Sequence, residues 1–210
     1  MMDIHKHLFK LRTHTFWVFP LLLLGCSAPQ PITQLGVPWS ASTQQATQQL
    51  QSLGLKVVPV NIAAFVPGAK QTAFQGKLSG WEVTTALTFT PNNHMLQMVT
   101  DHTFPAPHGH QNLITRLRKK CTITRQDITE RLGSLDTGVA DGEINRRLNE
   151  GPQKEADWIL YEYNSWSGKR FNTQLYCLIT SYKGKWTTLK VSVISRDVNL
   201  PWKFLWAPTP

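Results

Sequence analysis

The sequence lacks the short motifs that mark the common enzyme classes. It contains no glycine-rich phosphate loop, HExxH, GxSxG, SxxK or CxxC, so the chemistries built on those arrangements have no residues here to carry them. The paired carboxylates Asp141 and Glu143 fall in a polar, glycine-containing stretch with no sign of a raised pKa. The expectation is therefore a protein that is not an enzyme and needs no cofactor. No apolar run reaches the roughly 20 residues of a membrane-spanning helix. Cysteine is scarce, three in 210 residues, and acids are few, 13 against 22 Lys and Arg. The resulting formal charge of +9 favours acidic partners. Only Arg116 to Lys120, "RLRKK", is a dense basic run, and it reads as a solvated helix face.

What is present begins at the N-terminus. Lys6, Lys10 and Arg12 form a positive region, followed by an apolar run from Phe16 to Leu24 with Pro20 inside it. About 7–15 apolar residues suit a signal-peptide core. The run ends in Leu23-Leu24-Gly25-Cys26, which resembles the bacterial lipobox. That resemblance implies a diacylglyceryl thioether on Cys26, cleavage after Gly25 and acylation of the new amine. Two or more acyl chains anchor stably, each buried CH₂ contributing about 0.8 kcal/mol. Ser27 rather than Asp follows the cysteine, which in the enteric sorting rule implies the outer membrane; the inner membrane and the cell surface remain alternatives. Residues 1–25 then form the signal peptide and residues 26–35 a polar, proline-containing tether. Removing Lys6, Lys10, Arg12 and Asp3 lowers the formal charge by two. An envelope location argues against nucleic acid as a partner.

With Cys26 committed to lipid, Cys121 and Cys177 are an even pair in an oxidising compartment. A disulfide between them closes a long loop; two buried free thiols are the alternative.

Residues 36–195 alternate helix and strand signals. In "GVPWSASTQQATQQLQSLG", Ser40 or Ser42 is the N-cap, Gln45 sits three beyond Ser42 as in a capping box, and Ala46, Leu50 and Leu53 recur at helical spacing before Gly54. "TITRQDITERLG" repeats the theme, with Thr124 as N-cap and Gly133 as stop, and "HGHQNLITRLRKKC" before it reads as a further helix. Strands are expected at 55–60, 72–79, 81–90, 94–100, 157–166, 171–180 and 185–194, several with two-residue alternation. The segment 134–156 reads as a loop with a short helix near 142–148. The expectation is α+β: two helix-plus-antiparallel-sheet units, about 36–104 and 105–195, forming one two-layer domain after a cleaved signal peptide. An aromatic, proline-rich tail spans 196–210.

Gly36, Pro38, Trp39, Ser42, Leu53 and Gly54, and then Thr124, Asp127, Ile128, Leu132, Gly133, Trp158, Tyr161 and Tyr163, give a pattern that resembles a small α-βββ unit. It is similar to the outer-membrane β-barrel assembly lipoproteins of the SmpA/OmlA type and, in tandem, to β-lactamase-inhibitor-like proteins. The resemblance implies a binding or scaffold role without catalysis, and fold alone does not fix function.

Two constellations remain. His94, His102, His108 and His110 cluster around "DHTFPAPHGH", where His102, His108 and His110, with Asp101, are candidate ligands for Zn²⁺ or Cu²⁺. The alternative is a polar linker between the halves. Aromatics crowd the second half, and Tyr161, Tyr163, Trp166, Trp202 and Trp206 are candidates for a binding surface. The other role for these aromatics is core packing. The functional expectation is a lipid-anchored envelope protein with an envelope-protein partner. The alternatives are an inhibitor-like module that binds a periplasmic or host enzyme, and a metal-binding lipoprotein.

Overall fold

The computed structural model describes residues 35–60, 68–106, 110–140, 142–168 and 170–199. The signal-peptide region, Cys26, the tether up to residue 34 and the tail from residue 200, with Trp202 and Trp206, lie outside the described residues, as does His108. The chain runs α1 (Thr43–Ser52), β1 (Lys56–Val58), β2 (Lys70–Leu78), β3 (Trp81–Phe89), β4 (Met95–Pro105), α2 (His110–Leu132), β5 (Thr137–Ala140), α3 (Ile144–Glu150), β6 (Trp158–Ser167), β7 (Phe171–Tyr182) and β8 (Lys185–Asp197). It is a mixture of helix and antiparallel sheet. All eight strands join one sheet in the order β1-β2-β3-β4-β8-β7-β6-β5.

Local chemistry accounts for the element ends. The Ser42 hydroxyl accepts from the Gln45 N–H, and the Gln45 side chain accepts from the Ser42 N–H, closing the capping box of α1. Gly54 and Gly133 follow α1 and α2 with φ of 83° and 93°, a left-handed conformation that other residues adopt only with strain. The β2–β3 and β7–β8 hairpins turn on Ser79-Gly80 and Lys183-Gly184, with positive φ at both residues, as the twist of two-residue hairpins demands.

Residues paired across an antiparallel ladder point to the same face of the sheet. One row crosses the sheet through Val83, His102, Val191, Cys177 and Glu162. All three helices lie on this face. α2 buries Leu113, Leu117, Cys121 and Ile128 against Val191, Cys177, Leu175 and Ile179, and α3 adds Ile144 and Leu148. α1 buries Ala46 and Leu50 against Phe74, Val83 and Leu87, joined by Leu35, Val37 and Trp39 from the segment before it. Trp39 stacks on Phe171 at 3.7 Å between ring centroids, which ties that segment to the start of β7.

Three features differ from the sequence expectation. The two helices expected on either side of Cys121 are one 23-residue helix. No Gly or Pro interrupts His110–Leu132, and Leu113, Leu117, Cys121, Thr124 and Ile128 keep one face apolar or buried throughout. Thr124 is thus buried inside a helix and caps nothing. The stretch Asp101–Pro105, expected in a surface linker, continues β4 because β8 supplies its partners as far as Thr188. The polar segment 134–156 contains the edge strand β5 as well as a helix.

Cys121 and Cys177 are disulfide-bonded, with Cα atoms 6.2 Å apart, and so α2 is fastened to β7. The bond closes a loop with a sequence separation of 56, for which chain entropy gives about 4 kcal/mol. Reduction is therefore expected to lower unfolding stability by up to that amount. Urea unfolding with and without dithiothreitol measures it; coincident curves would sink the expectation.

Candidate functional site: the helix-free face of the sheet

The opposite face of the sheet carries a second row, Thr84, Asp101, Ser192, Tyr176, Tyr163 and Val139. None of the described helices packs against it. Its two ends differ in chemistry. On β2–β4 it presents small or polar side chains, among them Gln75, Ala73, Thr84, Ala86 and Thr103. On β6 and β7 it presents Trp158, Leu160, Tyr163, Tyr176 and Tyr182, with Leu178 buried among them. Trp158 is 49% and Tyr182 61% exposed, unusual for side chains of this size.

Hydrogen bonds fix the aromatic end. The Tyr163 and Tyr176 rings lie 5.0 Å apart, centroid to centroid. The Gln174 amide donates to the Tyr163 hydroxyl, and the Tyr176 hydroxyl donates to the Gln174 carbonyl oxygen, both at 3.2 Å. Burial raises the Tyr176 pKa, with a further contribution from Tyr163, so the Tyr176 phenol stays neutral near pH 7. Next to them, burial lowers the Arg196 pKa. In the middle of the face Lys190 pairs with Asp101 at 2.9 Å. The second carboxylate oxygen of Asp101 and the hydroxyl of Ser192 are buried and accept or donate no hydrogen bond. Such an atom costs on the order of 1–3 kcal/mol when left without a partner. The face can therefore offer rigid aromatic contact and polar groups.

A β-bulge decides which aromatics reach this face. β6 pairs regularly with β7 up to Leu160, then resumes at Glu162 opposite Cys177. The extra residue, Tyr161, breaks the expected alternation that would have placed it with Tyr163. Tyr163 joins the open face, whereas Tyr161 packs against the α2 core and accepts from the Arg118 guanidinium at 2.9 Å. The same shift turns Glu162, Asn164 and Trp166 toward the helices. The Glu162 carboxylate accepts from Arg125 of α2 at 2.7 Å and from the Asn164 amide at 2.6 Å. Trp166, a sequence candidate for a binding surface, is 1% exposed and belongs to the core. The alternation of Trp158 and Leu160 with Ile159 was the signal for the exposed end; nothing in the sequence announced the bulge.

The histidine candidates separate. His102 faces the helices and Asp101 the other side, as neighbours in a strand must. His110 opens α2. Among the described residues no group of three His, Cys, Asp or Glu side chains could hold a metal ion. Neither is any described helix long and apolar enough to cross a membrane. Comparisons with protein-family models, curated proteins and solved structures give no match to this chain.

His102 is 3% exposed, and burial, reinforced by Lys120, depresses its pKa to about 3. The unfolded chain takes up a proton near pH 6.5, and the folded chain does not until near pH 3. The contribution of His102 to stability is therefore present above pH 6.5 and is lost as the pH drops between these values, by about 1.4 kcal/mol per pH unit. From pH 7 to pH 5 the loss is about 2 kcal/mol. Denaturant titrations at the two pH values measure it, and His102→Val, matching its neighbours Val83 and Val191, should remove most of the difference.

Proposed function

We propose that this chain is a lipid-anchored, non-catalytic protein of the bacterial cell envelope that binds an envelope protein through the helix-free face of its sheet. The observation that carries the proposal is the exposed aromatic end of that face, Trp158 and Tyr182 beside the ordered Tyr163–Tyr176 pair. Aromatic side chains of this kind supply most of the energy in protein interfaces. The anchor is the lipobox-like Leu23-Leu24-Gly25-Cys26, and Ser27 favours the outer membrane with the domain facing the periplasm. We read the domain as two helix-plus-sheet units, α1 with β1–β4 and α2 with β5–β8. The strand order, which runs inward from β1 and from β5 to meet at β4 and β8, supports that reading. The tail with Trp202 and Trp206 would add to the same surface.

Crosslinking capture from native membranes tests the binding face. Trp158→Ala and Tyr182→Ala are each expected to reduce recovery of the partner about tenfold or more and to change unfolding stability little, because both side chains are largely exposed. Gln75→Ala, at the polar end, should leave recovery unchanged. Recovery of an assembly complex supports the scaffold role; recovery of a single hydrolase supports an inhibitor-like role on the same face. Equal recovery with all variants would falsify the aromatic face as the binding surface. Separately, Cys26→Ala should abolish acylation and leave the N-terminus uncut, read by mass spectrometry of the membrane fraction.

A further inference from the structure

We propose that the outward side of α2 rests on the anionic phospholipid surface of the membrane that holds the protein, with the helix layer toward lipid and the open sheet face away from it. The proposal builds on Cys26 as the anchor. Successive residues of a helix are turned about 100° apart. With Leu117 and Cys121 buried, this directs Lys119 away from the sheet and sets Arg116 and Arg118 on its two flanks. Ile123, one turn beyond Lys119, is 52% exposed. A basic helix side that also shows an aliphatic side chain matches the headgroup boundary, with charges on phosphates and the aliphatic group just below.

Neighbouring groups sharpen this surface. From His110 to Gln126 the helix contains no acid. Of the acids further along, Asp127 is engaged by Arg131 at 2.8 Å, and Glu130 is exposed on the helix's last turn. The Arg116 guanidinium lies 3.8 Å from the centre of the Phe104 ring, and the Lys120 ammonium 5.8 Å from that of Trp81. The aromatic rings thus hold these cations at the rim of the helix layer.

The path of the chain gives the same orientation independently of charge. Leu35, Val37 and Trp39 are buried with α1 in the helix-side core, so the chain enters the domain on that side. Leu35 is nine residues beyond Cys26, a span of at most about 30 Å. An anchor at Cys26 therefore holds the helix side near the lipid and leaves the sheet face free for a partner.

Amine acetylation of the full chain in protein-free nanodiscs tests this, with phosphatidylcholine alone compared with phosphatidylcholine plus phosphatidylglycerol. Lys119 is expected to be labelled severalfold less in the anionic discs, with the difference lost in high salt. Lys77, on the opposite face and with a side chain 75% exposed, should be labelled alike in all. Arg116→Gln combined with Arg118→Gln should reduce the protection. Mass spectrometry of the N-terminal peptide in the same samples reports the lipid on Cys26. An acylated chain whose Lys119 labels equally in both discs overturns the orientation and leaves the anchor standing, as it would if α2 instead bound an acidic protein. Protection without acylation upholds the α2 surface and removes the anchor. Absence of both overturns both.

Discussion

Residues Gln97 to Pro105 of β4 pair one to one with Arg196 to Thr188 of β8, and this ladder makes a single sheet from what would otherwise be two four-stranded pieces. The pairing is also what places α1 and α2 on one face. His102 lies directly opposite Val191 and beside Val83, so the apolar faces of β3 and β8 are continuous through it. A slip by one residue would send every β4 side chain to the other face. Asp101 would then be driven under the helices, away from Lys190, and His102 into the open. The register keeps the Asp101–Lys190 pair on the side without helices, where burying the two charges under the helix layer is avoided.

α2 bears the second constraint. It spans the seam of the sheet and is fastened at three points of different chemistry: the disulfide to β7, the Arg125–Glu162 pair and the Arg118–Tyr161 hydrogen bond to β6. The last two depend on the bulge at Tyr161, because a regular β6 would point Glu162 away from α2. Glu162 is nearly buried, and an acid there is stable only with its partners in place. Arg125 and Asn164 supply them. One extra residue in β6 thus both fixes the helix and delivers Tyr163 to the opposite face.

Much of this was legible in the sequence wherever the deciding chemistry is local. The Ser42–Gln45 capping box, Gly54 and Gly133, and the alternation in β3, β7 and β8 each involve residues close in the chain. What was hidden depends on distant partners. β4 extends through Asp101–Pro105 because β8 is there to pair with it, although the prolines suggested a linker. Thr124 has the chemistry of a cap, but the buried positions on either side of it belong to one helix packed on the sheet. Trp166 and Tyr163, three residues apart, must face opposite sides of the strand, and the bulge upstream decides which is core and which is surface. The Cys121–Cys177 pair was open between disulfide and free thiols until the approach of α2 to β7 brought the two together.

The two faces divide the work of the molecule. The helix side spends its apolar surface on stability: it holds both core clusters, the disulfide and the half-buried Arg125–Glu162 ion pair. The other side also buries Leu178 and Ile194, but its aromatic end carries exposed groups. Trp158 remains about half exposed and Tyr182 more than half, and Asp101 and Ser192 retain polar atoms without hydrogen bonds. A sheet selected for stability alone would replace such groups with Thr or Val, which suit a strand and leave nothing unsatisfied. Their presence on one face, set apart from the helices and from the side where the chain enters, supports the proposal that this face binds a partner. Substitutions there should therefore separate binding from folding, whereas on the helix side the two would fail together.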